Sequence, residues 1–96
     1  MVRLKAMIAD PGRSWIAHAQ SPKEYANGTR LFAYRALRDK LSCAEITSAL
    51  NEIDAAARTF ATPVAGVTAE QANHLLSLNS EVGQDLRTEF SNRCKG

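Results

Sequence analysis

Cys43, Cys94, His18 and His74 are the residues of this chain best suited to chemistry. A zinc site needs four ligands at one point, and closely spaced pairs usually supply them. These four residues are all widely separated, so no metal site is expected. Cys43 stands where a helix begins, and a thiol there can have a lowered pKa. Neither histidine is placed by the sequence to act as its base. No Gly-rich phosphate loop, HExxH, CxxC or GxSxG is present. Glu45, Glu52, Asp54, Glu81, Asp85 and Glu89 recur at helical spacings that put them mainly on solvated faces. No catalytic residue and no cofactor are therefore expected.

A second group could bind rather than react. Arg30, Arg35 and Arg38, with Tyr34 among them, form a basic stripe in the first helical segment. Such a stripe can meet a protein partner, or it can meet nucleic-acid phosphates. Asp39 and Glu24 dilute it, and a pI near 8.7 is modest for nucleic-acid binding. Trp15, in a poorly patterned arm, serves either as a core plug or as a contact residue. The expected partner-binding residues are Arg30, Tyr34, Arg35, Arg38 and Trp15.

The elements that position these residues begin at three matching signals. "SPKE" (21–24), "SCAE" (42–45) and "TAEQ" (68–71) each pair a hydroxyl N-cap with a Glu or Gln three residues on. In such a box the hydroxyl accepts from an orphan amide, and the longer side chain reaches back to the cap amide. Cys43, Ile46, Leu50, Ile53, Ala57 and Phe60 form one apolar stripe, which predicts a helix over 43–60. "ATPVAGV" (61–67) ends it, because Pro63 disfavours helix at Thr62 and Gly66 permits a turn. Ala72, Leu75, Leu76, Val82, Leu86 and Phe90 predict a further helix over about 69–92, with Asn79 interrupting its apolar face. Gly83 either breaks that helix or lets it approach Ala55-Ala56-Ala57 closely.

The first helix is expected over about 22–41, with Leu31, Tyr34, Leu37 and Leu41 on one face. Asn27-Gly28 is a turn signal, so the helix either tolerates Gly28 or starts at Thr29. Residues 1–20 form an N-terminal arm. Val2, Leu4, Ala6 and Ile8 alternate as in a strand, but no second strand is available to pair with them, so an irregular or helical arm is expected. The fold class is thus all-α: a small three-helix domain, residues 21–96, whose last two helices form an antiparallel hairpin.

In that hairpin Cys43 and Cys94 fall at the same open end, and a disulfide between them is expected. Two unrelated thiols, with Cys43 as a small hydrophobe of the stripe, are the alternative. The register is imperfect: counted from Val64, the two positions differ by about nine residues, or roughly 13 Å of helix. The bond therefore requires the last helix to end early or to bend.

A disulfide implies an oxidising compartment, periplasmic or extracellular. "IAHAQ" (16–20) carries an Ala-x-Ala resembling a signal-peptidase site, but Asp10, Pro11, Gly12 and Arg13 occupy the place of the apolar middle. No apolar run approaches a membrane span. Charge is uneven: residues 1–41 hold eight Lys/Arg against three Asp/Glu, and residues 42–96 hold four against seven. The two halves are expected to face each other and pair. The function these readings favour is a non-catalytic protein-interaction or assembly module, with another protein as partner and no oligomeric state implied. The alternative is a cytoplasmic nucleic-acid-associated accessory protein using the basic first helix.

Overall fold

A computed structural model describes residues 7–9, 14–17 and 21–94 of the chain. A helical turn at 7–9 and a 3-10 turn, Ser14–Ala17, precede four helices: α1 Pro22–Tyr25, α2 Thr29–Leu37, α3 Cys43–Thr59 and α4 Ala69–Arg93. The described residues contain no strand. Most of the alternation from Val2 to Ile8, the Asp10-Pro11-Gly12-Arg13 stretch and the His18 end of the Ala-x-Ala segment lie outside the described residues.

All three capping boxes form. Ser21, Ser42 and Thr68 accept from the amides of Glu24, Glu45 and Gln71, whose side chains accept from the cap amides in return. The segment expected as one helix over 22–41 is instead split into α1 and α2. Gly28 has φ of 78°, a left-handed conformation that a side chain resists, and the Asn27 side chain accepts from the Thr29 amide as α2 starts. α2 ends at Leu37, and Leu41 reaches the core through a turn in which its amide bonds to the Leu37 carbonyl.

α3 and α4 pack as the expected antiparallel hairpin, and α2 packs on α4. The core is Leu31, Tyr34, Leu37 and Leu41 from the α2 segment, Ile46, Ala49, Ile53 and Phe60 from the α3 segment, and Leu75, Val82 and Leu86 from α4. The α3 stripe is turned slightly from the expected one: Ala49 and Ala56 are buried, whereas Cys43 and Ala57 are exposed.

Cys43 and Cys94 are bonded, with Cα atoms 5.8 Å apart, inside the reach of a disulfide. α4 neither ends early nor breaks to achieve this. It is continuous through Gly83 to Arg93, and its 25 residues at 1.5 Å each account for the 37 Å long axis of the molecule. The nine-residue mismatch is absorbed at the other end. Asn79 and Gly83 lie against Ile53, and Arg87 against Asp54, so the hairpin's midpoint falls near Thr68 rather than Val64. The first two turns of α4 overhang the end of α3. The 60–68 connection runs beside this overhang, with Phe60 buried and Val64 and Val67 packed on the core. Gly83 serves close approach, as one alternative anticipated, but toward Ile53: a Cβ there would lie 3.2 Å from Ile53 Cγ2.

Candidate functional site

The basic stripe is divided between the interior and the surface. Arg30 and Tyr34 are buried, at 2% and 0% exposure, and cannot form a partner surface. α2 turns both toward α3, because positions four apart share a helix face and that face carries Leu31 and Leu37 beside them. Arg30 Nε lies 2.8 Å from Glu52 Oε1 and 3.3 Å from the Tyr34 hydroxyl, to which it donates. The Tyr34 hydroxyl in turn donates to Glu52 Oε1 at 3.1 Å. Arg30 Nη2 donates to the Ile16 carbonyl at 2.8 Å. The guanidinium also stands 5.6 Å from the Trp15 ring centre and 6.0 Å from that of Tyr34, within cation–π range.

Trp15 is partly buried and packs against the core. Its ring meets Tyr34 at 5.3 Å, and its Nε1 donates to the Met7 carbonyl at 2.9 Å. A buried arginine on α2 gathers the 3-10 turn, α2 and α3 at one point. Glu52, expected on a solvated face, is drawn inward to meet it. Burial raises the Glu52 carboxyl above its ordinary value, and the nearby Arg30 charge offsets only part of that rise. The Tyr34 hydroxyl is pushed up by burial and then by the Glu52 charge.

A second buried polar group joins α1 to the hairpin. The Tyr25 hydroxyl donates to Asn79 Oδ1 at 2.7 Å, and Asn79 Nδ2 donates to the Ile53 carbonyl at 2.9 Å. Asn79 interrupts the apolar face of α4 in sequence because it is the residue that receives Tyr25. Burial, ahead of the charge of Glu52, also raises the Tyr25 hydroxyl. Beside this group a cavity of about 160 Å³ opens between α1 and α3, with the stacked rings of Tyr25 and Phe60 among its walls and Glu52 on its lining.

The outward side of α2 carries the rest of the stripe. Arg35 is half-buried and pairs with Asp85 at 3.1 Å, and Arg38 is exposed. On the same surface stands Phe32, one turn before Arg35, 42% exposed and the most exposed large hydrophobic side chain among the described residues. Phe32, Arg35, Ala36, Arg38, Asp39 and Glu89 line one shallow depression. Phe32 was not among the residues expected to bind. The signal was available, since it lies one position off the buried face set by Leu31, Tyr34 and Leu37. At the same end of the molecule Arg93 Nη2 donates to the Arg38 and Leu41 carbonyls, tying the end of α4 to the turn after α2 beside the disulfide.

Comparison with known proteins gives no match to a family model, a curated protein or a solved structure. Among the described residues no helix is long and apolar enough to cross a membrane.

Proposed function

We propose that this chain is a non-catalytic protein-binding module of an oxidising compartment, periplasmic or extracellular, and that the outer face of α2 is its contact surface. The observation that carries the reading is Phe32, exposed on α2 and sharing one depression with Arg35 and Arg38. Aromatic and arginine side chains are enriched where protein interfaces concentrate their binding energy. The Cys43–Cys94 bond supports the compartment, because such bonds persist where thiols are not kept reduced. With Arg30 held inside and Arg35 paired to Asp85, the arginine stripe no longer offers the row of phosphate contacts that a nucleic-acid reading needs.

A photo-crosslinking residue placed at Phe32 or Ala36 in the source cell tests this, with exposed Thr47 on α3 as the control position. One protein adduct is expected from the α2 positions, lost with Arg38→Glu and absent from Thr47, together with thiols that resist alkylation until reduced. Nuclease-sensitive adducts, or thiols that alkylate freely in the cell, would reject the reading.

A further inference from the structure

The cavity between α1 and α3 combines features that neither the core nor the α2 surface uses. Its aromatic side is Tyr25 and Phe60, both buried, with ring centres 6.3 Å apart. Ala55 and Ala56 line it with minimal side chains, leaving room on the α3 side. Besides Tyr25, whose hydroxyl is bonded to Asn79, its polar side chains are Glu52 and Thr59. At about 160 Å³ it is too small for a drug-sized ligand, which needs roughly 300–1,000 Å³. An unbranched alkyl chain of a few carbons fits that space.

We propose that this cavity binds a primary alkylammonium group, with the alkyl stem against Tyr25, Phe60 and Ala56 and the ammonium on the Glu52 carboxylate. Arg30 Nε and the Tyr34 hydroxyl both meet that carboxylate at Oε1. Oε2 is the oxygen the proposal assigns to the ligand. Arg30 holds the carboxylate from the interior, where its own side chain is 3% exposed, so the arginine fixes the acceptor without occupying the cavity. One available oxygen suits an ammonium, which binds as a point charge. A guanidinium is matched best by two oxygens in a fork. The Thr59 hydroxyl adds a neutral acceptor on the same lining. The ammonium can belong to a lysine side chain or to a free amine, which share this chemistry.

The test uses the oxidised full chain at neutral pH and n-butylammonium chloride as the probe, followed by amide chemical shifts. Binding in the millimolar range is expected, as for a fragment of this size, with shifts clustered at Tyr25, Ala55 and Thr59. n-Butanol should bind at least about tenfold more weakly, since it lacks the charge-assisted hydrogen bond. Glu52→Gln keeps an oxygen for Arg30 and Tyr34, and should weaken butylammonium by about the same factor. Ala55→Leu, on an exposed helical position that tolerates leucine, should fill the cavity and abolish the shifts. A blocked lysine that binds as tightly as butylammonium assigns the group to a protein side chain; butylammonium binding alone assigns it to a free amine. Equal binding of butanol and butylammonium, or shifts that spread over the surface, would overturn the proposal.

Discussion

The α3–α4 hairpin and the segment before it are held by different forces. The hairpin is closed at one end by a disulfide and capped at the start of both helices, and its helices meet through Ile46, Ile53, Val82 and Leu86. α1, α2 and the 3-10 turn also bury apolar side chains. They add two polar anchors that cross to the hairpin: Arg30 with Glu52, and Tyr25 with Asn79. Arg35 with Asp85 makes a third crossing at the surface. The excess of basic residues before position 42 and of acidic residues after it is expressed in these crossings. A covalent ring restricts the unfolded chain wherever the break occurs, whereas a buried polar anchor depends on every partner being in place.

The sharpest way to break this contrast is to remove one buried partner. Arg30→Met should cost about 3–5 kcal/mol, because Glu52, the Ile16 carbonyl and the Tyr34 hydroxyl all lose the same cation. Glu52→Gln is the comparison: its amide oxygen still accepts from Arg30 and Tyr34 but the buried cation loses its counter-charge, so it should cost less than Arg30→Met, about 1–3 kcal/mol. Urea unfolding followed by helical circular dichroism measures both. Similar losses in the two variants would mean that the pair's charge, rather than its hydrogen-bond geometry, holds the N-terminal segment.

Reduction of the disulfide comes next. The bond closes a loop with a sequence separation of 51, for which chain entropy gives about 4 kcal/mol. A measured loss of about 2–4 kcal/mol is expected on adding reductant or in Cys43→Ser, with helical content retained at low temperature. Retention is expected because the capping boxes, the core and the Arg93 contacts to the Arg38 and Leu41 carbonyls all survive reduction. A hairpin that melts outright on reduction would show that the covalent bond, and not the packed face, is what holds α4 in place.

The two regions also differed in how far the sequence revealed them. Caps and apolar periodicity are local, so α3 and α4 were legible to within a residue at either end, as was the all-α class. The disulfide pairing was legible because a hairpin places helix ends together. Its register was not, because the overhang of α4 beside the 60–68 connection is set by long-range packing such as that of Asn79 and Gly83 on Ile53. The site was read less well for the same reason. Periodicity locates Arg30 and Tyr34 on one face of α2, but whether that face meets solvent or α3 depends on Glu52, two turns into another helix. Charge alone made Arg30 look external, and Phe32, beside the apolar face of the first helix, was not expected as a contact although the stripe that buries Tyr34 excludes it.

The smallest effect separates burial from pairing at the same anchor. Glu52 has its carboxyl raised above its ordinary 4.5, with burial the larger cause and Arg30 opposing it. A folded state with the higher pKa takes up the proton first as pH falls. It therefore binds more protons than the unfolded chain between the raised value and the ordinary one, and stability rises as pH falls through that window. Below the ordinary value both states are protonated and the gain levels off. The wild-type chain should thus gain stability relative to Glu52→Gln as pH is lowered from neutral toward 4.5, a difference that cancels the titration of the carboxylates the two proteins share. Tyr25 and Tyr34, the other titratable groups against Glu52, have their hydroxyls raised and stay protonated throughout. Were the difference to run the other way, with the wild type losing stability on acidification, Arg30 would outweigh burial. The anchor of the N-terminal segment would then be an ion pair in its energetics as well as in its geometry.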